Sequence, residues 1–191
     1  MKTISLMLIL FFLVGQVQAR QLAGVEFEEQ ISIAKVASPL KLNGVGIRYK
    51  FFFKIYIAAL YVENTSNNPD QIINDKGAKR IHMHFLYDEV VNDNLVIASL
   101  DGFKSNLTKQ EYMKLKPKID QFNQVFETVK QGDSILLDFL PGRGTRVTIK
   151  NRPGTMIEGS DFSAAVMKIW LGDSPVKQGL KNALLGIEED Y

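Results

Sequence analysis

Outside its N-terminus, the most apolar and aromatic run of the chain covers residues 42–62, LNGVGIRYKFFFKIYIAALYV. Aromatic and β-branched residues dominate this run, which predicts a β-strand rather than a helix. From Ile55 onward the side chains of both parities are apolar, so we expect a strand that is buried on both faces and lies inside a sheet. A charged group in such a setting requires a partner, and the candidate groups with chemistry in this buried setting are Arg48, Tyr56 and Tyr61.

The rest of the chain alternates between strand and helix periodicity. Alternating apolar side chains predict a strand or hairpin at 25–36 and further strands at 78–86, 134–140, 145–150 and after the turn at 151–154. Apolar side chains three and four positions apart predict helices at 69–74, 88–106, 108–131, 160–171 and 174–185. This order predicts an α+β fold, in which a mainly antiparallel sheet is covered on one face by helices.

Three local signals refine these predictions. Asn43–Gly44 is a turn signal. Thr108 and Glu111 have the spacing of a capping box, which predicts a helix start. Pro117 lies inside the helical pattern that follows, so we expect a kink or a break there.

Residues 1–19 have the pattern of a secretory signal peptide. Lys2 supplies a positive start, residues 4–14 are apolar except for Ser5, and Val17–Gln18–Ala19 resembles a small-residue cleavage site. The alternative is an uncleaved anchor, but this apolar run is short for a membrane span. We therefore expect cleavage after Ala19, export, and a mature domain at 20–191 with no stable membrane span.

Composition narrows the classes of function. The chain has no Cys, so the sequence predicts neither a disulfide nor a lipid attached through Cys. Without Lys2, twenty-two Lys and Arg face twenty-one Asp and Glu, and this net charge of +1 argues against a nucleic-acid partner. No pattern in the chain calls for a cofactor.

Residues 42–64, with the order Gly-x-Gly-x-Arg, a Lys- and Phe-rich strand and Tyr–Val–Glu, resemble the first motif of the chalcone isomerase family. Later segments agree, namely KIDQFNQVFETVKQGDSILLDFLPGRGTRVTI, SDFSAAVMKIWLGDSPV and LKNALLG, so the resemblance covers about 24–186. It is greatest to the bacterial exported branch rather than to the plant enzymes. It implies an open-faced β-sandwich, in which a large antiparallel sheet carries a helix layer, and a periplasmic location.

The resemblance also implies roles for individual residues. Arg48 falls on the family Arg, which helps to polarise the substrate in the enzymes and holds a carboxylate in the fatty-acid-binding members. Tyr56 falls where the plant enzymes have a catalytic Thr and the fatty-acid-binding members have Tyr. The enzymes also use a Tyr and an Asn seven positions apart on a helix, and 92–106 contains no Tyr. Their late Thr has only Thr155 as a candidate, so we expect no catalytic set in this chain.

The first hypothesis is therefore a non-catalytic periplasmic binder of a fatty acid or a similar amphipathic carboxylate, with Arg48 and Tyr56 as its ligand-binding residues. A guanidinium can hold a carboxylate through two parallel hydrogen bonds, and a phenol can donate a third. The alternatives are a chalcone isomerase-type intramolecular lyase and a ligand-free accessory or assembly factor. In the last case Arg48 would pair with a resident acid such as Glu63 or Asp138. An apolar cavity that reaches Arg48 would favour the first two.

Other candidates have plainer interpretations. His82 and His84 share one strand face and could bind a metal, but with no evident third ligand a polar strand face is the better interpretation. Arg143 and Arg146 flank a glycine turn, which indicates a solvated hairpin tip rather than an anion site. Trp170 is assigned to the core. The sequence thus predicts no metal site.

Overall fold

The structure is a computed structural model, and it describes residues 19–187. The predicted signal peptide lies outside the described residues except for Ala19. The described part contains eleven strands and five helices, listed here in chain order: β1 (Ala19–Leu22), β2 (Val25–Glu28), β3 (Gln30–Ile31), β4 (Leu40–Lys50), β5 (Phe53–Val62), α1 (Pro69–Asn74), β6 (Lys79–Phe85), β7 (Glu89–Val90), α2 (Asn92–Asn106), α3 (Lys109–Val125), β8 (Val129–Lys130), β9 (Ser134–Leu140), β10 (Gly144–Ile149), β11 (Thr155–Glu158), α4 (Ser160–Leu171) and α5 (Gln178–Leu184).

Seven strands form one antiparallel sheet in the order β11-β10-β9-β6-β5-β4-β3. The side chains of its two faces belong to two separate apolar clusters. The cluster on one face is closed by the helices, through buried side chains such as Phe103, Phe122 and Phe162. The other is closed in part by the N-terminal segment, through Phe27 and Ile33. This arrangement confirms the predicted α+β fold with a large antiparallel sheet and a helix layer.

The prediction of one strand over residues 42–62 was wrong, because the run is a hairpin of β4 and β5. Its turn lies at Phe51 and Phe52, without the Gly, Asn or Pro that normally indicates one. Phe51 itself adopts the left-handed conformation, with φ of 55°. The second strand does behave as predicted: β5 is an inner strand, and its side chains from Tyr56 to Val62 are buried on both faces.

Asn43–Gly44 is not a turn but a bulge inside β4, where the pairing with β5 shifts between Leu42 and Gly44. The Asn43 side chain fills the bulge with three hydrogen bonds: its amide nitrogen donates to the carbonyls of Ser66 at 3.0 Å and Leu184 at 2.8 Å, and its oxygen accepts from the Ser66 amide at 2.8 Å. The Asn–Gly dipeptide, which permits unusual backbone angles, therefore forms a bulge here rather than a chain reversal.

The helices largely follow the predictions, with corrections at some of their ends and at Pro117. Helix α2 starts at Asn92 rather than at 88, because residues 89–90 form the short strand β7. Thr108 and Glu111 form the predicted capping box at the start of α3. However, α3 continues without a break through Pro117 and ends at Val125, before the short strand β8. The last helix, α5, starts at Gln178, four residues after the predicted start. Within residues 19–187, no helix combines the length and apolar character that crossing a bilayer requires.

Candidate functional site

A cavity of about 360 Å³ lies between the helix-covered face of the sheet and helices α2, α3 and α4. Most of its wall is apolar, and its exposed lining residues come from the β4–β5 turn, the segment 87–89 and α2, which marks the opening. Ligand sites in proteins are usually apolar cavities of roughly 300–1,000 Å³ with few polar groups. The wall is formed by Arg48, Lys50, Phe51, Phe53, Ile55, Tyr56, Met83, Tyr87, Glu89, Val90, Asn94, Leu95, Ala98, Ser99, Phe122, Phe126, Ile135, Ile169, Trp170 and Val176.

The Gly-x-Gly-x-Arg segment places Arg48 at this cavity. Gly44 and Gly46 lie under α5, and a Cβ on Gly46 would come within 2.6 Å of the Ala183 methyl group. Arg48 is two residues further along β4, on the same face of the strand but beyond the part that α5 covers. Its side chain lines the cavity. The two glycines thus let a helix pack closely on the sheet, and the Arg follows where that packing stops.

Tyr56 is the cross-strand partner of Arg48, so the two predicted ligand-binding residues are neighbours on one face of the β4–β5 hairpin. Trp170 of α4 donates a hydrogen bond from Nε1 to the Tyr56 hydroxyl oxygen at 3.1 Å. Burial raises the pKa of Tyr56 above its ordinary value, although Arg48 and the Trp170 hydrogen bond act in the opposite direction. Tyr56 is therefore a neutral phenol whose oxygen accepts from Trp170, which leaves its own O–H free to donate into the cavity.

No ion pair joins Arg48 to a carboxylate within the described residues. Its Nη1 donates to the carbonyl oxygen of Tyr49 at 2.6 Å. The two acids considered as resident partners are engaged elsewhere, since Glu63 accepts from the Ala78 amide and Asp138 binds other arginines. The expectation that a purely structural Arg48 would pair with Glu63 or Asp138 is therefore wrong.

Asp138 is 1% exposed. Its register partner Arg80 is paired with Tyr61, so Asp138 lies on the face of the sheet that is opposite to the helices. Arg80 donates to its two carboxylate oxygens, from Nε at 2.5 Å and from Nη2 at 3.1 Å. Arg146 donates from Nε at 3.1 Å and from Nη2 at 2.6 Å. The interpretation of Arg146 as part of a solvated hairpin tip was wrong, because its guanidinium belongs to this buried triad. Arg143 is exposed, as that interpretation expected.

Two polar groups at the cavity were not predicted. Trp170 was assigned to the core alone, although a buried indole N–H usually has a hydrogen-bond partner, and that requirement is the signal that points to Tyr56. Ser99 of α2 is buried and lines the cavity, and its hydroxyl has no hydrogen-bond partner within the described residues. The sequence carries no signal for Ser99, since a Ser inside a helix normally faces solvent or a backbone carbonyl.

Several other sequence candidates lie away from the cavity. Tyr61 is buried on the opposite face, where desolvation raises its pKa to about 12. His82 and His84 lie beside Ser134, whose hydroxyl is 3.0 Å from Nε2 of His82 and 3.4 Å from Nδ1 of His84. Residues 19–187 contain no cluster of three His, Cys, Asp or Glu side chains arranged to hold a metal ion. Thr155 is exposed at the start of the edge strand β11 and does not line the cavity.

Comparison with known proteins agrees with this architecture. The chain matches the family described as chalcone isomerase-like over residues 19–186. A search of curated proteins gave no match. Among solved structures, the chain resembles the Arabidopsis thaliana fatty-acid binding protein AtFAP1, with a TM-score of 0.66 and 13% sequence identity over 88% of this chain and 96% of that one. At this identity the likeness shows a shared fold. From the extent of the family match, we conclude that the chain belongs to the chalcone isomerase-like family.

Proposed function

We propose that the protein binds a fatty acid or a similar amphipathic carboxylate in the cavity and does not transform it. One observation carries this proposal: Arg48, without a carboxylate partner within the described residues, lies beside a neutral buried phenol at the wall of an apolar cavity. A cation in such a place is complementary to an anionic head group, and the apolar wall is complementary to a hydrocarbon tail.

In this arrangement the ligand carboxylate lies between Arg48 and Tyr56. The guanidinium donates two parallel hydrogen bonds and the phenol donates a third, while Trp170 holds the phenol oxygen in place. The tail extends along the apolar wall formed by the helices and the sheet, including Phe126 and Ile135. The fold shared with a protein named for fatty-acid binding supports this ligand class.

The alternatives have less support. A ligand-free accessory factor would need neither a cavity nor an Arg without an acidic partner. An isomerase of the plant type would need a helical Tyr at the cavity, and the residues that α2 contributes to the wall are Asn94, Leu95, Ala98 and Ser99.

The test uses the single Trp of the chain, Trp170, as a probe in the cavity wall. Delipidated protein titrated with fatty acids of increasing chain length should show a saturable change in Trp fluorescence with one ligand per chain. A fatty alcohol of equal length lacks the carboxylate, so its affinity should be at least about tenfold lower. Native mass spectrometry of the purified protein should identify a co-purified carboxylate. No saturable change with any chain length, and no bound molecule, would refute the proposal.

We also propose that the protein is exported to the periplasm and that residues 1–19 are removed. The support is the positive, apolar and small-residue pattern ending at Ala19. Intact-mass analysis of protein from a periplasmic extract should give a chain that starts at Arg20. A chain that keeps Met1 and fractionates with membranes would contradict this proposal.

A further inference from the structure

The turn between β4 and β5 exposes aromatic side chains to an unusual extent. Phe51 is 87% exposed, Phe52 80% and Phe53 44%. The rings of Phe52 and Phe53 lie 4.3 Å apart between centroids, and Phe53 meets Tyr87 edge-on at 5.5 Å. Isolated exposed apolar side chains are ordinary, but a contiguous aromatic group at the end of a hairpin indicates an interaction surface. We call residues 49–54 the aromatic tip.

The charge of the aromatic tip has one sign. Lys50 and Lys54 flank the three Phe residues and are both exposed, and no Asp or Glu occurs anywhere in 40–62. Among the described residues that line the cavity, the acid is Glu89, and it lies 3.8 Å from Lys130 in an ion pair. Aromatic rings flanked by cations are the composition that favours the interface of an anionic lipid bilayer, where the rings enter the head-group region and the Lys side chains reach the phosphates.

The aromatic tip also borders the opening of the cavity. Lys50, Phe51 and Phe53 all line it, together with Tyr87 of the following segment. Phe52 and Lys54 belong to the tip but not to the cavity wall. A surface that binds the tip therefore faces the opening through which a ligand would enter.

We propose that the aromatic tip docks on an anionic lipid bilayer and so brings the opening of the cavity to the membrane surface. That this docking serves loading or release of an amphipathic carboxylate rests on the proposed function, whereas the docking itself does not. A second copy of the chain fits the tip less well, because a symmetric contact would place Lys50 and Lys54 of one copy against those of the other, and like charges repel.

The experiment measures sedimentation of the full mature protein with vesicles of 70% phosphatidylcholine and 30% phosphatidylglycerol, and with phosphatidylcholine vesicles alone. Wild type should bind the anionic vesicles, and its binding should weaken with added salt. Phe52→Ser/Lys54→Gln should reduce the partition coefficient at least about tenfold, because it removes one inserted ring and one cation. Ile97→Ser/Met113→Ser, which removes two exposed apolar side chains from α2 and α3, is the matched control and should bind like wild type.

Fatty-acid titration in vesicle-free solution separates the two proposals. Phe52→Ser/Lys54→Gln should keep the wild-type affinity, since neither side chain lines the cavity. Conversely, Arg48→Leu should lose affinity for the fatty acid and still bind anionic vesicles. Phe51→Asn/Phe52→Ser is a second tip variant that suits the positive φ at position 51, and it should also lose vesicle binding.

Three results would overturn the docking proposal. In the first, wild type does not bind anionic vesicles. In the second, the tip variants bind them as well as the Ile97→Ser/Met113→Ser control does. In the third, wild type forms a dimer in analytical ultracentrifugation that the tip variants lose, with no vesicle binding, which would assign the tip to a second copy of the chain.

Discussion

Replacing Arg48 with Leu separates a ligand-binding role from a structural one, because the two roles predict opposite changes in two measurements. In the structure Arg48 is half-buried, has no carboxylate partner within residues 19–187, and donates to the Tyr49 carbonyl. Leu occupies a similar space along the stem of the side chain and removes only the guanidinium. The change therefore tests whether the charged group serves the empty protein or something that binds to it.

The effect on the empty protein should be small. The substitution removes one near-surface hydrogen bond, which contributes about 0.5–1.5 kcal/mol to stability. For a domain of this size, 1 kcal/mol corresponds to about 2–4 °C in melting temperature, so the loss should stay below about 6 °C. A buried ion pair broken at one partner would cost about 3–5 kcal/mol, or roughly 6–20 °C.

The effect on ligand affinity should be large. A carboxylate held by the guanidinium loses charge-assisted hydrogen bonds that contribute about 1.5–3 kcal/mol each. Because Arg48 is only half-buried, water replaces part of this bonding, and we expect a loss of at least about 1.4 kcal/mol, or tenfold in Kd. Arg48→Lys keeps the charge without the planar fork, and its affinity should lie between those of wild type and Arg48→Leu.

The assay combines thermal melts of delipidated protein with a fatty-acid titration of each variant. Arg143→Leu is the matched control, because Arg143 is exposed on the turn between β9 and β10 and lies outside the cavity wall. It should change neither measurement. If Arg48→Leu lowers the melting temperature by more than about 10 °C and leaves the affinity unchanged, Arg48 is a structural residue and the binding site has been misassigned.

Three further predictions follow from the same contacts. Tyr56→Phe removes one phenol hydrogen bond and also leaves the Trp170 N–H unpaired. Fatty-acid affinity in the fluorescence titration should therefore fall, but by less than in Arg48→Leu, and circular dichroism should show that the fold is retained. Asp138→Ala leaves Arg80 and Arg146 facing each other without their shared carboxylate, and thermal melts should show a loss of about 3 kcal/mol, while an unchanged melting temperature would show that the triad is not stabilising. Chalcone cyclisation followed by absorbance should not exceed the uncatalysed rate; turnover that disappears in Arg48→Ala would instead identify an isomerase.

The sequence predicts those parts of the fold that local signals determine. The capping box at Thr108 and the glycine turn after β9 depend on a few adjacent residues, and both are found where predicted. The hairpin at 42–62 could not be predicted in this way, because Phe51 adopts a positive φ that no local signal requires. The helix after Thr108 was predicted, but the break considered at Pro117 does not occur, because packing against the core through Leu115 and Ile119 outweighs the local cost of the Pro.

The residues of the candidate site also divide into those that the sequence predicts and those that it does not. The motif resemblance predicts Arg48 and Tyr56, and the structure places them side by side at the cavity. Trp170 and Ser99 come from helices that are distant in sequence, and only the packing of those helices on the sheet brings them to the same wall. Single-sequence patterns predict which face of a helix is apolar, but not which part of that face remains uncovered.

The bulge at Asn43 determines which face of the sheet carries Arg48. Side chains two positions apart on a regular strand share a face. Leu42, however, packs in the cluster on the face opposite to the helices, whereas Gly44 and Gly46 lie under α5 on the face covered by the helices. The extra residue in β4 reverses the alternation of the side chains, so Arg48 lies on the same face as Gly44 and Gly46. Without the bulge, the Arg48 side chain would point to the opposite face of the sheet, away from the cavity. Hence the local geometry at Asn43 places the guanidinium on the same face as the Tyr56 phenol and the cavity.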